Sequence, residues 1–405
     1  MHKFLSRPAP RIAATLLAVV VLFVTPGVAS AEDPSSVSAI ERIMHRSMAT
    51  YHLKAIIVRV RSNGRNLYTG AFGDSMTGVP ATPDMHFRNG AMAFTYMATM
   101  LLAFVDQKKL SLNDKVAKFF PDLPHANEIS LKNLANMTSG YADYVYEPEV
   151  LDGTLLQPFR RWTPQELIHI GVSKPMMFVP GTNFGYSHTN YVILGLILQR
   201  VAGMPLDEAM KKYIFGPMHL SQTQGFTTPQ IPEPVLHTYS SERREALHIP
   251  ASVPFYEEST FWNPSWTTVE GAVQITDIAD MAASMEAVGN GALLSKGSLK
   301  AQIGPNLVGF GHAEPKCRVC RKLTAAFNYY GLGVINAGPW VLQSKLFAGS
   351  DATAGSLPAK RIAVAVEVTY LPAAFDDKGN FNIASPKIFE ALANAVAPGT
   401  SLKLP

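Results

Sequence analysis

An α+β fold is what the hydrophobic patterning of this chain predicts: one antiparallel sheet, two terminal helices and a helical insertion. Three observations carry that expectation. Strand-like runs rich in β-branched residues occur near residues 55–72 and again near 330–369. Segments of helical period and turn punctuation fill the stretch between them. Helix-like segments close both ends, with no internal repeat or low-complexity linker anywhere.

Residues 37–51 read as the first helix, with Ile40, Ile43, Met44 and Met48 on one face. Residues 55–61 are a strand that ends at Ser62-Asn63-Gly64, a hairpin-type turn, and residues 67–72 are the returning strand. Residues 87–109 carry a helix that is apolar nearly all round from Met92 to Val105, which implies burial. The middle of the chain is helical; residues 190–202 are an apolar helix closed by Gly203 as a C-cap. A further helical run covers 271–286, with Asp277 and Asp280 on its polar side. Beyond that the period changes. Residues 330–335, 340–346 and 361–369 read as strands, the last alternating through Ile362, Val364, Val366 and Val368. Residues 386–397 are the closing helix, with proline tolerated in its first turn.

The first 31 residues read as a signal peptide. His2, Lys3, Arg7 and Arg11 give a basic start, residues 12–23 an apolar core, and Ala29-Ser30-Ala31 a small-residue cleavage site. The core is shorter than the roughly 20 residues of a membrane span. The product is therefore expected to be exported, periplasmic or extracellular, with membrane attachment only through an uncleaved leader. Three of the 35 basic residues and no acid lie in this leader, which leaves 32 basic against 31 acidic residues in the rest. So neutral a body argues against a nucleic-acid partner and suits a small neutral or zwitterionic ligand. With 47% hydrophobic and 16% charged residues the chain is globular. Its length exceeds that at which one core keeps growing. Residues 32–400 are accordingly expected as one domain of two interlocked lobes, a sheet lobe at 36–86 and 300–398 and a helical lobe at 87–299.

Cys317 and Cys320 are the two cysteines, in Cys317-Arg318-Val319-Cys320. In an oxidising compartment this spacing suits a local disulfide. A redox motif, its thiol activated by Lys316, Arg318, Arg321 and Lys322, is a second reading. A zinc site recruiting His312 is a third.

The most informative stretch is residues 87–102, Phe-Arg-Asn-Gly-Ala-Met-Ala-Phe-Thr-Tyr-Met-Ala-Thr-Met-Leu-Leu. It resembles the active-site helix of the penicillin-recognising serine hydrolases, which include class C β-lactamases, D,D-peptidases and related esterases. Their Ser-x-x-Lys follows a Phe-Arg-x-Gly-like run. Further blocks are similar in the same order: residues 110–124, Met137-Thr138-Ser139-Gly140, residues 180–191 around the second motif Tyr-x-Asn, and residues 289–295. The resemblance covers roughly residues 36–398. It implies a β-lactamase/transpeptidase-like fold and no cofactor.

That family's chemistry needs a serine at a helix N-terminus, where backbone N–H groups favour developing negative charge. It needs a lysine one turn along the same face to take the serine proton, and a tyrosine to pass a proton to the leaving group. A Lys/His-Thr/Ser-Gly strand forms the opposite wall. This chain departs at each point. Ala91 stands at the serine position and Phe94 at the lysine. Tyr186 is retained in Tyr186-Ser187-His188, but His188 replaces the asparagine. Counting back from Gly349 and the Leu357-Pro358 corner, Gln343-Ser344-Lys345 falls on the third-motif strand, with first and last positions changed. No Ser-x-x-Lys and no Gly-x-Ser-x-Gly elbow occurs anywhere in the chain.

The resulting expectation is a catalytically inactive pseudoenzyme whose cleft binds a small-molecule, peptidoglycan-like or lipid ligand, or a protein partner. One alternative is an active esterase or peptidase with a site rebuilt from Tyr186, His188, Ser344 or Lys345. Another is a structural envelope protein with a filled cleft. Oligomeric state is not indicated by the sequence.

Overall fold

Residues 34–325 and 329–404 are described in the computed structural model of the chain; the leader expected at residues 1–31 lies outside them. Among the described residues an eight-stranded sheet organises the molecule. Its order is Val79–Pro80, Arg65–Met76, Leu53–Ser62, Ile362–Tyr370, Ser350–Leu357, Trp340–Phe347, Ile335–Ala337, Tyr329–Tyr330, antiparallel throughout. The alternation read in the last long strand sorts its side chains between two cores. Ile362, Val364, Val366 and Val368 face the terminal helices Pro34–Thr50 and Ser385–Val396, while Ala365 faces the helical insertion. Each fully buried branched side chain contributes about 1.5–3 kcal/mol, and small residues on the other face let the Ile278–Asn290 helix lie close against the sheet.

Four elements differ from the sequence reading. The site helix runs over Met92–Asp106, preceded by a two-residue strand, Phe87–Arg88, that pairs with Gln274–Thr276. That same pairing removes the first turns of the helix expected from residue 271, which begins only at Ile278. Asp277 becomes its N-cap, accepting Asp280 N–H at 2.7 Å. Asp280 in turn accepts Gln222 N–H at 2.7 Å and Thr223 Oγ1 at 3.0 Å. Both aspartates are therefore buried rather than on a polar face, and desolvation raises both above the ordinary carboxylate range. The strand expected at 330–335 is two short ones, Tyr329–Tyr330 and Ile335–Ala337, broken at Gly333, whose φ is +70°. Finally, Ser350–Leu357 is a fully buried strand that patterning does not show. Its sequence, Ser-Asp-Ala-Thr-Ala-Gly-Ser-Leu, has weak strand propensity, and its neighbours on both sides impose the conformation.

Candidate functional site

The N-terminus of the Met92–Asp106 helix meets the Trp340–Phe347 strand at Gly90. A Cβ on Gly90 would lie 2.9 Å from Lys345 Cβ, and its φ is +55°, so only glycine fits here. Ala91 follows at the helix entrance, half-buried, with no capping side chain; its carbonyl accepts Phe94 N–H at 3.0 Å. A methyl group thus stands at the mouth of the helix, where an attacking oxygen would have to be.

One turn on, Phe94 is buried within an aromatic cluster. Its ring stacks on Tyr191 at 4.1 Å, meets His188 edge-on at 5.5 Å, and lies 6.0 Å from Tyr186. Tyr186 also packs edge-on against His188 and Tyr330. Such pairs contribute about 0.5–1.5 kcal/mol each beyond area burial. The same surroundings set the protonation of Tyr186. Burial, then Tyr330 and Asp143, hold its hydroxyl well above the ordinary tyrosine range, so at neutral pH it stays protonated and cannot serve as a base.

His188 is the first residue of the His188–Ala202 helix. Asp143, which sequence reasoning missed, accepts the His188 backbone N–H at 3.1 Å and Nδ1 at 3.0 Å. A buried carboxylate at a helix N-terminus is favoured by the dipole, so this contact orders the helix entrance. The third motif separates by strand parity. Gln343 and Lys345 face the site side: Gln343 Nε2 donates to the Gly333 carbonyl at 3.1 Å, the acceptor also used by Thr95 Oγ1 at 2.7 Å. Ser344 pairs with Thr353, whose hydroxyl bonds Ser385 at the start of the C-terminal helix. It therefore lies on the opposite face of the sheet, which removes it from the site. Lys345 is buried and forms an ion pair with Glu367 across Ala352, whose small side chain leaves the space. Burial lowers Lys345 and raises Glu367, and the attraction between the two groups opposes both shifts. Glu367 sits in the all-buried Ile362–Tyr370 strand and carried no signal beyond being an acid in an apolar run.

The structure joins Cys317 to Cys320, and the linked turn packs on Met177 and Phe178. Cys320 bridges to Gly185 beside Tyr186, so the disulfide braces the segment carrying the second motif. So short a loop restricts the unfolded chain modestly. Reduction is expected to lower stability by about 2 kcal/mol, read as a shift of the urea midpoint between oxidised and reduced protein; an unchanged midpoint would show that the bond braces nothing.

Beyond Lys345 the structure opens into a cavity of about 570 Å3. Of the degenerate motif positions, Lys345 alone lines it; Ala91, Phe94, Tyr186 and His188 lie outside its wall. Three of the four tryptophans, Trp162, Trp262 and Trp266, line it as well, together with Phe87 and Arg88 from the strand before the site helix. The collected groups can hold an apolar body and a few polar contacts. They offer no nucleophile paired with a base at position 91.

The Beta-lactamase family model matches residues 40–385. A "Putative D-alanyl-D-alanine carboxypeptidase" of Salmonella typhimurium is 28% identical over 227 residues, which is 50% of this chain and 50% of that protein. The chain is thus matched to about half the length of such relatives. Among solved structures, a D-stereospecific amidohydrolase from Streptomyces sp. superposes with a TM-score of 0.72 at 22% identity, covering 90% of this chain and 99% of that one. The D-amino acid amidase of Ochrobactrum anthropi gives 0.71 at 19%, covering 89% and 98%. An octameric penicillin-binding protein homologue from Pyrococcus abyssi gives 0.67 at 21%, covering 90% and 79%. These likenesses bear out the α+β, β-lactamase/transpeptidase-like fold.

Proposed function

The chain belongs to the beta-lactamase family, and from that premise we propose that this member has given up acyl transfer and acts as an exported protein that binds a cell-envelope ligand. One observation carries the reading. Phe94 fills the position of the proton-accepting lysine and is stacked on Tyr191 at 4.1 Å, so the loss of the serine at position 91 is matched by a packed apolar replacement of its base. A site merely missing its serine would keep the base and its polar surroundings. Here Tyr186 is held protonated and Lys345 is engaged by Glu367. Export rests on the leader-like residues 1–31. The envelope ligand rests on curated relatives named for D-alanyl-D-alanine.

The test is turnover of a peptide ending in D-alanyl-D-alanine and of a chromogenic cephalosporin. Product release is expected to match the buffer blank for the native chain and for Ala91→Ser alike, because a serine opposite Phe94 has no group to take its proton. Turnover by either protein above the blank contradicts the reading.

A further inference from the structure

Residues 311–325 hold Lys316, Arg318, Arg321 and Lys322 against a single acid, Glu314. All four cations are exposed, and no ion pair of the described residues includes any of them. Glu314 is engaged otherwise: it accepts Asn183 Nδ2 at 3.2 Å and meets His312 Nε2 at 3.0 Å. The cations sit on a turn that cannot spread, because the Cys317–Cys320 disulfide closes it and Cys320 pairs with Gly185. Arg318 lies over the Tyr146 ring at 4.7 Å and Arg321 over the Phe184 ring at 5.3 Å, which holds both guanidiniums in place.

Like charges held this close repel one another, and an anionic surface relieves that repulsion. The surroundings of the turn decide which kind of anion fits. The disulfide packs on Met177 and Phe178, and the chain reverses directly after them, with the Val179 carbonyl accepting Thr182 N–H at 3.1 Å. Val179 at the apex is 64% exposed, and Tyr146, beneath Arg318, is 41% exposed. A soluble polyanion has no use for bare apolar side chains beside its charges. A bilayer interface does, since such side chains enter between the headgroups while Lys and Arg stay at the level of the phosphates.

We propose that the disulfide-closed turn docks the protein on an anionic lipid surface, with Lys316, Arg318, Arg321 and Lys322 at the headgroup phosphates and Val179 entering the interface. Gly185, the backbone partner of Cys320, precedes Tyr186, so docking brings the segment of the second motif next to the bilayer. No covalent bond is made or broken in this contact. It stands apart from what the cleft binds and from the loss of acyl transfer.

The test is co-sedimentation of the full chain with vesicles of phosphatidylcholine, either alone or mixed with phosphatidylglycerol. Every variant keeps residues 1–31, so any membrane affinity of that segment is common to all. Lys316→Gln with Lys322→Gln is expected to weaken binding to the anionic vesicles by about twentyfold, roughly fivefold for each charge removed. Binding to the neutral vesicles is expected to stay unchanged. Arg42→Gln with Arg46→Gln removes two exposed charges from the Pro34–Thr50 helix, on the other face of the sheet, and is expected to alter neither. Val179→Ser is expected to weaken binding to the anionic vesicles about fourfold, the worth of one buried methylene group, and to leave binding of soluble polyphosphate as it was. Equal losses from the two double variants overturn the proposal, as does native binding that is the same with and without phosphatidylglycerol. Vesicle binding that ignores Val179→Ser, with polyphosphate binding lost in Lys316→Gln with Lys322→Gln, assigns the turn to a soluble polyanion and overturns it too.

Discussion

Phe94→Lys is expected to lower the unfolding free energy by about 3–5 kcal/mol, although it introduces the residue type that the family resemblance implies at this position. Two effects add. Phe94 is 2% exposed, and removing its ring forfeits the stack on Tyr191 and the edge contact with His188. The ammonium that arrives finds no free carboxylate, because Asp143 is already engaged by His188 Nδ1 at 3.0 Å. A buried charge without a partner costs several kcal/mol on its own. Guanidinium unfolding monitored by circular dichroism gives the difference. A loss under about 1 kcal/mol would mean that the pocket still accepts a cation, and the view of Phe94 as a rebuilt core would fail.

Gly333→Ala is expected to cost about 3 kcal/mol for a different reason. Gly333 has φ of +70°, and an added Cβ would lie 2.4 Å from the Phe94 carbonyl oxygen and 2.7 Å from Ala98 Cβ. The segment cannot withdraw to make room. Gly333 N–H donates to Ala135 O at 3.2 Å, and its carbonyl accepts Thr95 Oγ1 at 2.7 Å and Gln343 Nε2 at 3.1 Å. Gly64→Ala is the control: φ is +77° with nothing within 4 Å of the added atom. It is expected to cost about 1 kcal/mol, the backbone strain alone. Equal losses at the two positions would show that close approach to the site helix is not what Gly333 serves.

The two positions also mark how far the sequence could be read. Long periodic elements were legible because burial on one face leaves a period: the alternation from Ile362 to Val368 and the apolar run of residues 92–105 both point to the elements that form. Ala91 and Phe94 were assigned from the family-like run on either side, which fixes their register. What failed depended on tertiary context. Ser350–Leu357 is a strand because its neighbours are strands. Asp277 and Asp280 are buried because Gln274–Thr276 pairs with Phe87–Arg88 and shortens the helix. Ser344 could not be assigned to a face until its partner Thr353 was known. The Asp143–His188 contact joins residues 45 apart, and the Lys345–Glu367 pair depends on register across an intervening strand. Neither leaves a local pattern. The cavity is the extreme case: its walls come from six or more separate stretches of chain.

Loss of acyl transfer is the claim on which the rest depends, and intact mass spectrometry of the native chain after prolonged incubation with a penicillin tests it most directly. The expected result is the unmodified mass at every time point, since position 91 offers no oxygen and position 94 no base. A covalent adduct of one penicillin per chain, mapped to any residue within the site, would contradict it.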